Sequence, residues 1–196
     1  MCQMLEFSRR FSFNKEIFAM VFIAYCACYF IVEFIVVPVQ MVLGSSQTNY
    51  ASILFLPHGI RVLSIWLYKE RAVIPLFCGH LFIYILFWIG EVSITSSALV
   101  LVGTFCVPMA FVLVSWIGFD VSVRNTKIKH WRAILMVGFI ASIINSLGNS
   151  LILSPYIEPS LHLSTVVTYL VGDTMGVFCL LLILLFGFRL VGKYRG

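Results

Sequence analysis

The sequence predicts an all-α, polytopic integral membrane bundle of six transmembrane helices with both termini in the cytoplasm. Three observations carry that expectation. The chain is 61% hydrophobic and 11% charged over 196 residues, with a mean hydropathy of +1.05, which is far from an ordinary soluble domain. Its apolar residues gather into six runs, each near or above the ~20 residues that cross a ~30 Å hydrocarbon core. Charge is segregated: of 13 Lys and Arg, all but Arg61 fall on one side of a six-pass arrangement, and Arg61 sits inside an apolar run.

The runs follow one another along a single domain, residues 1–196. The first, 17–43, comes after Arg9, Arg10 and Lys15. The stretch Ser8–Phe13 partly resembles a twin-arginine export signal, and Val42-Leu43-Gly44 a cleavage site. The apolar run between them is too long for a signal peptide and carries Glu33, so it reads as an uncleaved first helix. The second run, 51–68, contains Pro57, His58 and Arg61 and ends at Lys69 and Arg71. The third, 72–89, contains Pro75 and His80 and is closed by Glu91. The fourth, 97–119, contains Pro108 and precedes Arg124, Lys127, Lys129 and Arg132. The fifth, 131–153, carries Ser142, Asn145, Ser146, Asn149 and Ser150. The sixth, 163–190, carries Asp173 and ends among Arg189, Lys193 and Arg195. The connections 44–50, 90–95 and 154–162 hold no Lys or Arg. An excess of Lys and Arg marks the cytoplasmic face, which places both termini there. Pro38, Pro75 and Pro108 are expected to kink or bound their helices. Trp66, Trp88, Trp116 and Trp131 lie near span ends, where interfacial anchoring accounts for them.

Several function classes drop out on chemistry. The net charge of +5 is juxtamembrane and suits anionic lipid. No basic stripe extends beyond the helix ends, so nucleic acid is not an expected partner. Five of the six cysteines, Cys26, Cys28, Cys78, Cys106 and Cys179, lie in apolar runs and read as packing residues; Cys2 does not. There is no Cys/His cluster, phosphate loop or nucleophile elbow. No catalytic residue, cofactor or metal is therefore expected.

The candidate site is a set of ionisable residues at membrane depth, where each costs at least ~2.5 kcal/mol near a helix centre. Counting inward at ~1.5 Å per residue from the ends without Lys or Arg puts Glu33, Arg61, His80 and Asp173 near one level, ~15 Å deep. His58 shares a face with Arg61, three residues on. Arg61 is expected to pair with Asp173, Glu33 or both. One reading makes the layer a register device between helices; the other makes it the lining of a cavity for a ligand, ion or proton. On the second, Pro57 bends the second helix, the cavity opens outward, and His58 faces it. Asn145 and Asn149, one turn apart, are expected to bond between helices. Gly172 and Gly176, flanking Asp173 in a GxxxG, are expected to admit a neighbouring helix closely.

Two segments carry a resemblance. Phe55-Leu56-Pro57-His58-Gly59-Ile60-Arg61, then Tyr68 to Pro75 and Gly79-His80, resemble the opening motif of the first membrane-associated sensor domain family, the MASE type. Gly172-Asp173-Thr174-Met175-Gly176-Val177 is similar to that family's closing Gly-Asp-x-x-Gly-Val. The resemblance implies a non-enzymatic bacterial inner-membrane sensor that docks a signalling partner, here in a shortened six-helix form without an output domain. A small-molecule ligand is compatible with it. The alternatives are the substrate-binding subunit of an energy-coupling-factor vitamin transporter and an accessory subunit of a larger membrane complex. Such transporter subunits share the six helices and cytoplasmic termini. The small-xxx-small coupling surface expected of them is missing from the first helix, where Ala19 is followed by Ile23 and Ala24 by Cys28.

Overall fold

The computed structural model describes residues 14–42, 52–87, 94–119 and 130–194. Every regular element among them is helical. Helix α1 spans Lys15–Val42 and contains a π-helical turn at Val32–Val36. It starts where Asn14 accepts from the backbone N–H groups of Glu16 and Ile17 at 2.9 and 3.3 Å, so a polar cap rather than hydropathy sets its first residue. Helix α2 is Leu56–Tyr68, α3 is Val73–Phe87 and α4 is Ile94–Trp116. Helix α5 is His130–Leu153 and α6 is His162–Tyr194. Short 3₁₀ turns, Lys69–Ala72 and Pro159–Leu161, precede α3 and α6.

Five helical runs among the described residues are long and apolar enough to cross a membrane: Lys15–Val42, Leu56–Phe87, Ile94–Trp116, Trp131–Leu153 and Pro159–Gly187. The second of these is folded back on itself. The Tyr29 ring lies 6.2 Å from the Phe55 ring and 5.6 Å from the Phe87 ring. A straight helix would hold those two phenylalanines ~48 Å apart. The reversal falls at Lys69, whose φ of 52° and ψ of −131° lie near a mirror-image turn conformation that glycine dominates.

Paired contacts give the direction of every arm. Tyr68 meets Met20 while Phe55 meets Tyr29, so α2 runs against α1. Phe82 meets Phe22 and Phe87 meets Tyr29, so α3 runs with α1. Ser142 donates to the Leu170 carbonyl, and Gly138 faces Val177, so α5 and α6 are antiparallel. Gly148 faces Val102 and Tyr156 meets Thr95, so α4 opposes α5. Gly59 faces Leu180 as Phe55 meets Gly172, which makes α2 and α6 parallel. The arms therefore alternate. Lys15, Lys69, Arg71, Arg132 and Arg189 all come to one end of the bundle, with Trp66, Trp116 and Trp131 beside them. Arg132 stacks on Trp131 at 5.5 Å. Trp88, Glu91, Cys2, Arg9, Arg10, Arg124, Lys127, Lys129 and Arg195 lie outside the described residues.

Helix α2 is the centre. It packs against α1, α4, α5 and α6, and nine of its 13 residues are buried, which no helix facing lipid on one side could achieve. Exposure is reversed from that of a water-soluble bundle. Phe34, Met109, Phe139, Leu147 and Phe178 face outward, while Thr104, Ser142, Asn145 and Asp173 are inside. This is the distribution expected of a protein whose solvent is lipid.

The second run was expected to be helical from residue 51, but Ser52–Phe55 is not helical. The Phe55 N–H donates to the Gly172 carbonyl at 2.9 Å, and Ile53 N–H donates to Gln40 Oε1 at 3.0 Å. A Cβ added at Gly172 would run into the Ser52 carbonyl, and one at Gly176 into the Phe55 carbonyl. The GxxxG of α6 thus receives the backbone of this strap as well as α2 behind it, rather than a helix alone. Pro57 falls in the first turn of α2, where its missing N–H removes no hydrogen bond. It starts the helix and does not kink it, contrary to the sequence expectation. Pro108 lies inside α4, and Pro38 comes two residues after the end of the π turn of α1.

Three outcomes follow for stability. Gly176→Val sets a side chain against backbone with nowhere to move and should destabilise by about 1–3 kcal/mol, measured as a lower melting temperature in detergent. Gly187→Ala, at an exposed position with open space around it, should be neutral or slightly stabilising. Lys69→Gly should raise stability by about 1 kcal/mol in the same assay by relieving the turn.

Candidate functional site

The site is built outward from α2. Because Pro57 opens that helix, His58 and Arg61 sit one turn apart on its inner face, 0% and 2% exposed. Arg61 reaches α4, where Nη1 donates to the Gly103 carbonyl at 2.5 Å and lies 3.8 Å from Cys106 Sγ. Glycine is required there, since a Cβ on Gly103 would strike the His80 ring and come within 3.1 Å of Arg61 Nη1. Arg61 Nη2 lies 3.9 Å from Asp173 Oδ1 on α6. His58 reaches α5, with Nε2 at 3.2 Å from the Gly138 carbonyl, and its Nδ1 lies 3.6 Å from Asp173 Oδ2. Asp173 is 1% exposed and accepts from Asn145 Nδ2 at 2.7 Å. Asn149 then donates to Asn145 Oδ1 at 3.3 Å, one turn up α5. The Phe55 ring caps the layer, 5.5 Å from the Arg61 guanidinium carbon. Tyr25 on α1, fully buried, packs on the half-buried His80 ring at 5.9 Å.

His58, Arg61, His80 and Asp173 are thus brought together, and Asn145 joins them as a ligand of the carboxylate rather than as a packing residue alone. Glu33 is not among them. The α1 residue level with the layer is Tyr25, eight residues before Glu33, which leaves Glu33 ~12 Å further along the helix. The depth count assumes helix from residue 51, whereas Ser52–Phe55 is not helical and the helical rise does not apply to it. Glu33 instead lies half-buried within the π turn and forms no ion pair with any other described residue.

The expected outward cavity with His58 facing it is also not what forms. His58, Arg61 and Asp173 are closed off, because α2 is surrounded and Phe55 covers its start. Closure is incomplete in a chemical sense. Tyr25 Oη, His58 Nδ1, Arg61 Nε, His80 Nδ1, Asn149 Oδ1 and Asp173 Oδ1 are buried without a hydrogen-bond partner among the described residues. Such atoms are rare in packed interiors and mark strain, function or a missing small partner. The described residues contain no group of three or more His, Cys, Asp or Glu placed to hold a metal ion.

Tyr25, Gly103 and Gly138 were not singled out from the sequence. Two of the three contribute backbone carbonyls, which leave no signal in side-chain chemistry. Gly103 and Gly138 are nonetheless the kind of small residue that permits close approach inside a membrane helix.

No family model, curated protein or solved structure matches the chain.

Removing the cation should expose the cost of the arrangement. Arg61→Met leaves Asp173 buried without its counter-charge and should destabilise by about 3–5 kcal/mol in detergent unfolding. The pair Arg61→Met with Asp173→Asn should recover part of that loss, since no buried charge is then stranded. An Arg61→Met protein as stable as the parent would mean the two charges are not coupled.

Proposed function

We propose that the protein is a non-enzymatic, sensor-type integral membrane module. It crosses the bilayer six times with both termini in the cytoplasm, and it passes the state of its polar layer to a separate protein partner. The observation that carries this reading is the closed layer of Arg61, His58, His80 and Asp173 around the central helix. Ionisable groups at membrane depth are expensive and are kept where they bind, relay or switch something. This layer draws atoms from all six arms: Tyr25 on α1, Arg61 on α2, His80 on α3, Gly103 on α4, Asn145 on α5 and Asp173 on α6. A change of charge there bears on every helix at once, which suits a signal receiver.

Six crossings are supported by length. Helix α2 has 13 residues, ~20 Å, and the non-helical residues Ser52–Phe55 before it lengthen that arm toward the hydrocarbon thickness. Helix α3, at 15 residues, supplies ~22 Å before its last described residue. The gathering of the described surface cations at one end supports cytoplasmic termini. The bacterial inner membrane follows from the sensor-family resemblance of Phe55–Arg61 and Gly172–Val177.

Reporter fusions test the topology. A reporter after residue 196 should score as cytoplasmic and one within residues 44–50 as the opposite compartment; the same compartment for both rejects six crossings. Co-purification in mild detergent tests the role. A kinase or nucleotide cyclase is the expected companion. A coupling ATPase would replace the sensor reading with transport, and a large stable complex would replace it with assembly.

A further inference from the structure

The tautomer of His58 leaves one place in the layer short of a hydrogen. Its Nε2 lies 3.2 Å from the Gly138 carbonyl oxygen, which can only accept. Nε2 therefore holds the ring proton, and in the neutral imidazole Nδ1 is a bare lone pair. That lone pair stands 3.6 Å from Asp173 Oδ2, an oxygen already accepting from Asn145 at 2.7 Å. An ionised carboxylate also only accepts. Two acceptors thus face each other out of contact with water, the residues being 0% and 1% exposed. Nδ1 has no hydrogen-bond partner among the described residues.

We propose that His58 and Asp173 form a proton-binding site, which takes up one proton from water onto Nδ1 and shares it with the carboxylate. The imidazolium then donates at both nitrogens, to Gly138 from Nε2 and to Asp173 from Nδ1. The N–H bond forms as one O–H bond of a hydronium ion breaks, leaving a water molecule, and no electrons are transferred. A small closure of the 3.6 Å gap brings the pair to charge-assisted hydrogen-bond length. This deepens the sensor reading and rests on it for its purpose, by naming the proton as what the layer receives.

The surroundings favour a proton over bulkier ligands. An anion would meet Asp173. A metal cation would meet Arg61, 3.9 Å from the same carboxylate. The direct gap between Nδ1 and Oδ2 admits a hydrogen but not an atom of the second row. The titratable and charged groups facing the pair come from every arm. Tyr25 stands on α1, Arg61 on α2, His80 on α3 and Cys106 on α4, while α5 adds the neutral Asn145. Arg61 opposes a second positive charge and Asp173 favours it. Proton uptake turns the layer from neutral to cationic and makes one carboxylate answer two cations. Its hold on Arg61, and through Arg61 on Gly103 of α4, is then shared.

The test is nuclear magnetic resonance of the full chain in lipid bilayers, with ¹⁵N in the histidine rings, between about pH 8 and about pH 4. The His58 signals are identified by their loss in His58→Gln. The expected result is that Nδ1 passes from unprotonated to protonated as pH falls, while Nε2 stays protonated throughout. Asp173→Asn should remove that transition, because its amide can donate to Nδ1 of the neutral ring; Gly187→Ala, outside the layer, should keep it. An Nδ1 that remains unprotonated over the whole range in the parent protein overturns the proposal, whether or not a variant folds. So does an unchanged transition in Asp173→Asn. A transition that occurs as described while no partner responds to pH leaves the proton site standing and removes the sensor reading instead.

Discussion

Everything about the bundle is arranged around a guanidinium that cannot reach water. Long cationic side chains in membranes ordinarily extend toward the interface and keep their heads wet. Arg61 has no such route, since α2 is enclosed by four other helices and its start is covered by Phe55. The charge must be met where it stands. Two elements meet it directly: α4 with the Gly103 carbonyl and α6 with Asp173. Each creates a further demand. Gly103 must stay without a side chain to leave room for Arg61 and His80, and Asp173 must be held by Asn145. The hydrogen-bonded face of α5 exists because α6 carries an anion, and that anion stands opposite a cation on α2. Replacing the whole network by well-packed apolar groups would cost little or even stabilise, whereas removing one member would not.

How much of this was readable in advance depends on which physical signal carried it. Hydropathy and the segregation of Lys and Arg are properties of long windows, so they survive local irregularity. They located the helical runs, and the structure gathers the described surface cations at one end. The convergence of His58, Arg61, His80 and Asp173 was also legible, because ionisable residues in apolar runs have few places to go. Glu33 lies off the layer for a local reason: counting depth assumes helix throughout, and Ser52–Phe55 is not helical. Pro57 was misread in the same way, since a helix-starting proline and a helix-bending proline look alike until the first residue of the helix is known. Asn145 bonds between helices as its polar face implies, whereas Asn149 bonds within α5, and nothing in that face names the Asp173 carboxylate as the partner. Gly138 and Gly103 act through carbonyl oxygens, and no residue type announces which of its backbone groups will be used.

The hairpin of α2 and α3 sets two short helices side by side. Thirteen and 15 residues are below the usual span. Helix α2 is preceded by non-helical chain, which inside a bilayer is tolerated only if its backbone groups are bonded within the protein. The strap meets that condition by bonding to Gly172 and Gln40. The π turn of α1 lies within two turns of Gln40, and such wide turns shift the azimuth of every side chain that follows. The amide that satisfies the Ile53 N–H is one of them.

Because the strap is seated on α6 by main chain against main chain, that contact does not depend on the side chains of Ile53 and Leu54. Ile53 is largely exposed, and neither it nor Leu54 contributes a side-chain hydrogen bond. Over evolutionary time these positions are free to drift while Gly172 and Gly176, more than a hundred residues away, are not. Divergent descendants of this chain would then share little in the segment that closes the layer. They would be recognised by a pair of distant glycines that keep a place open for it.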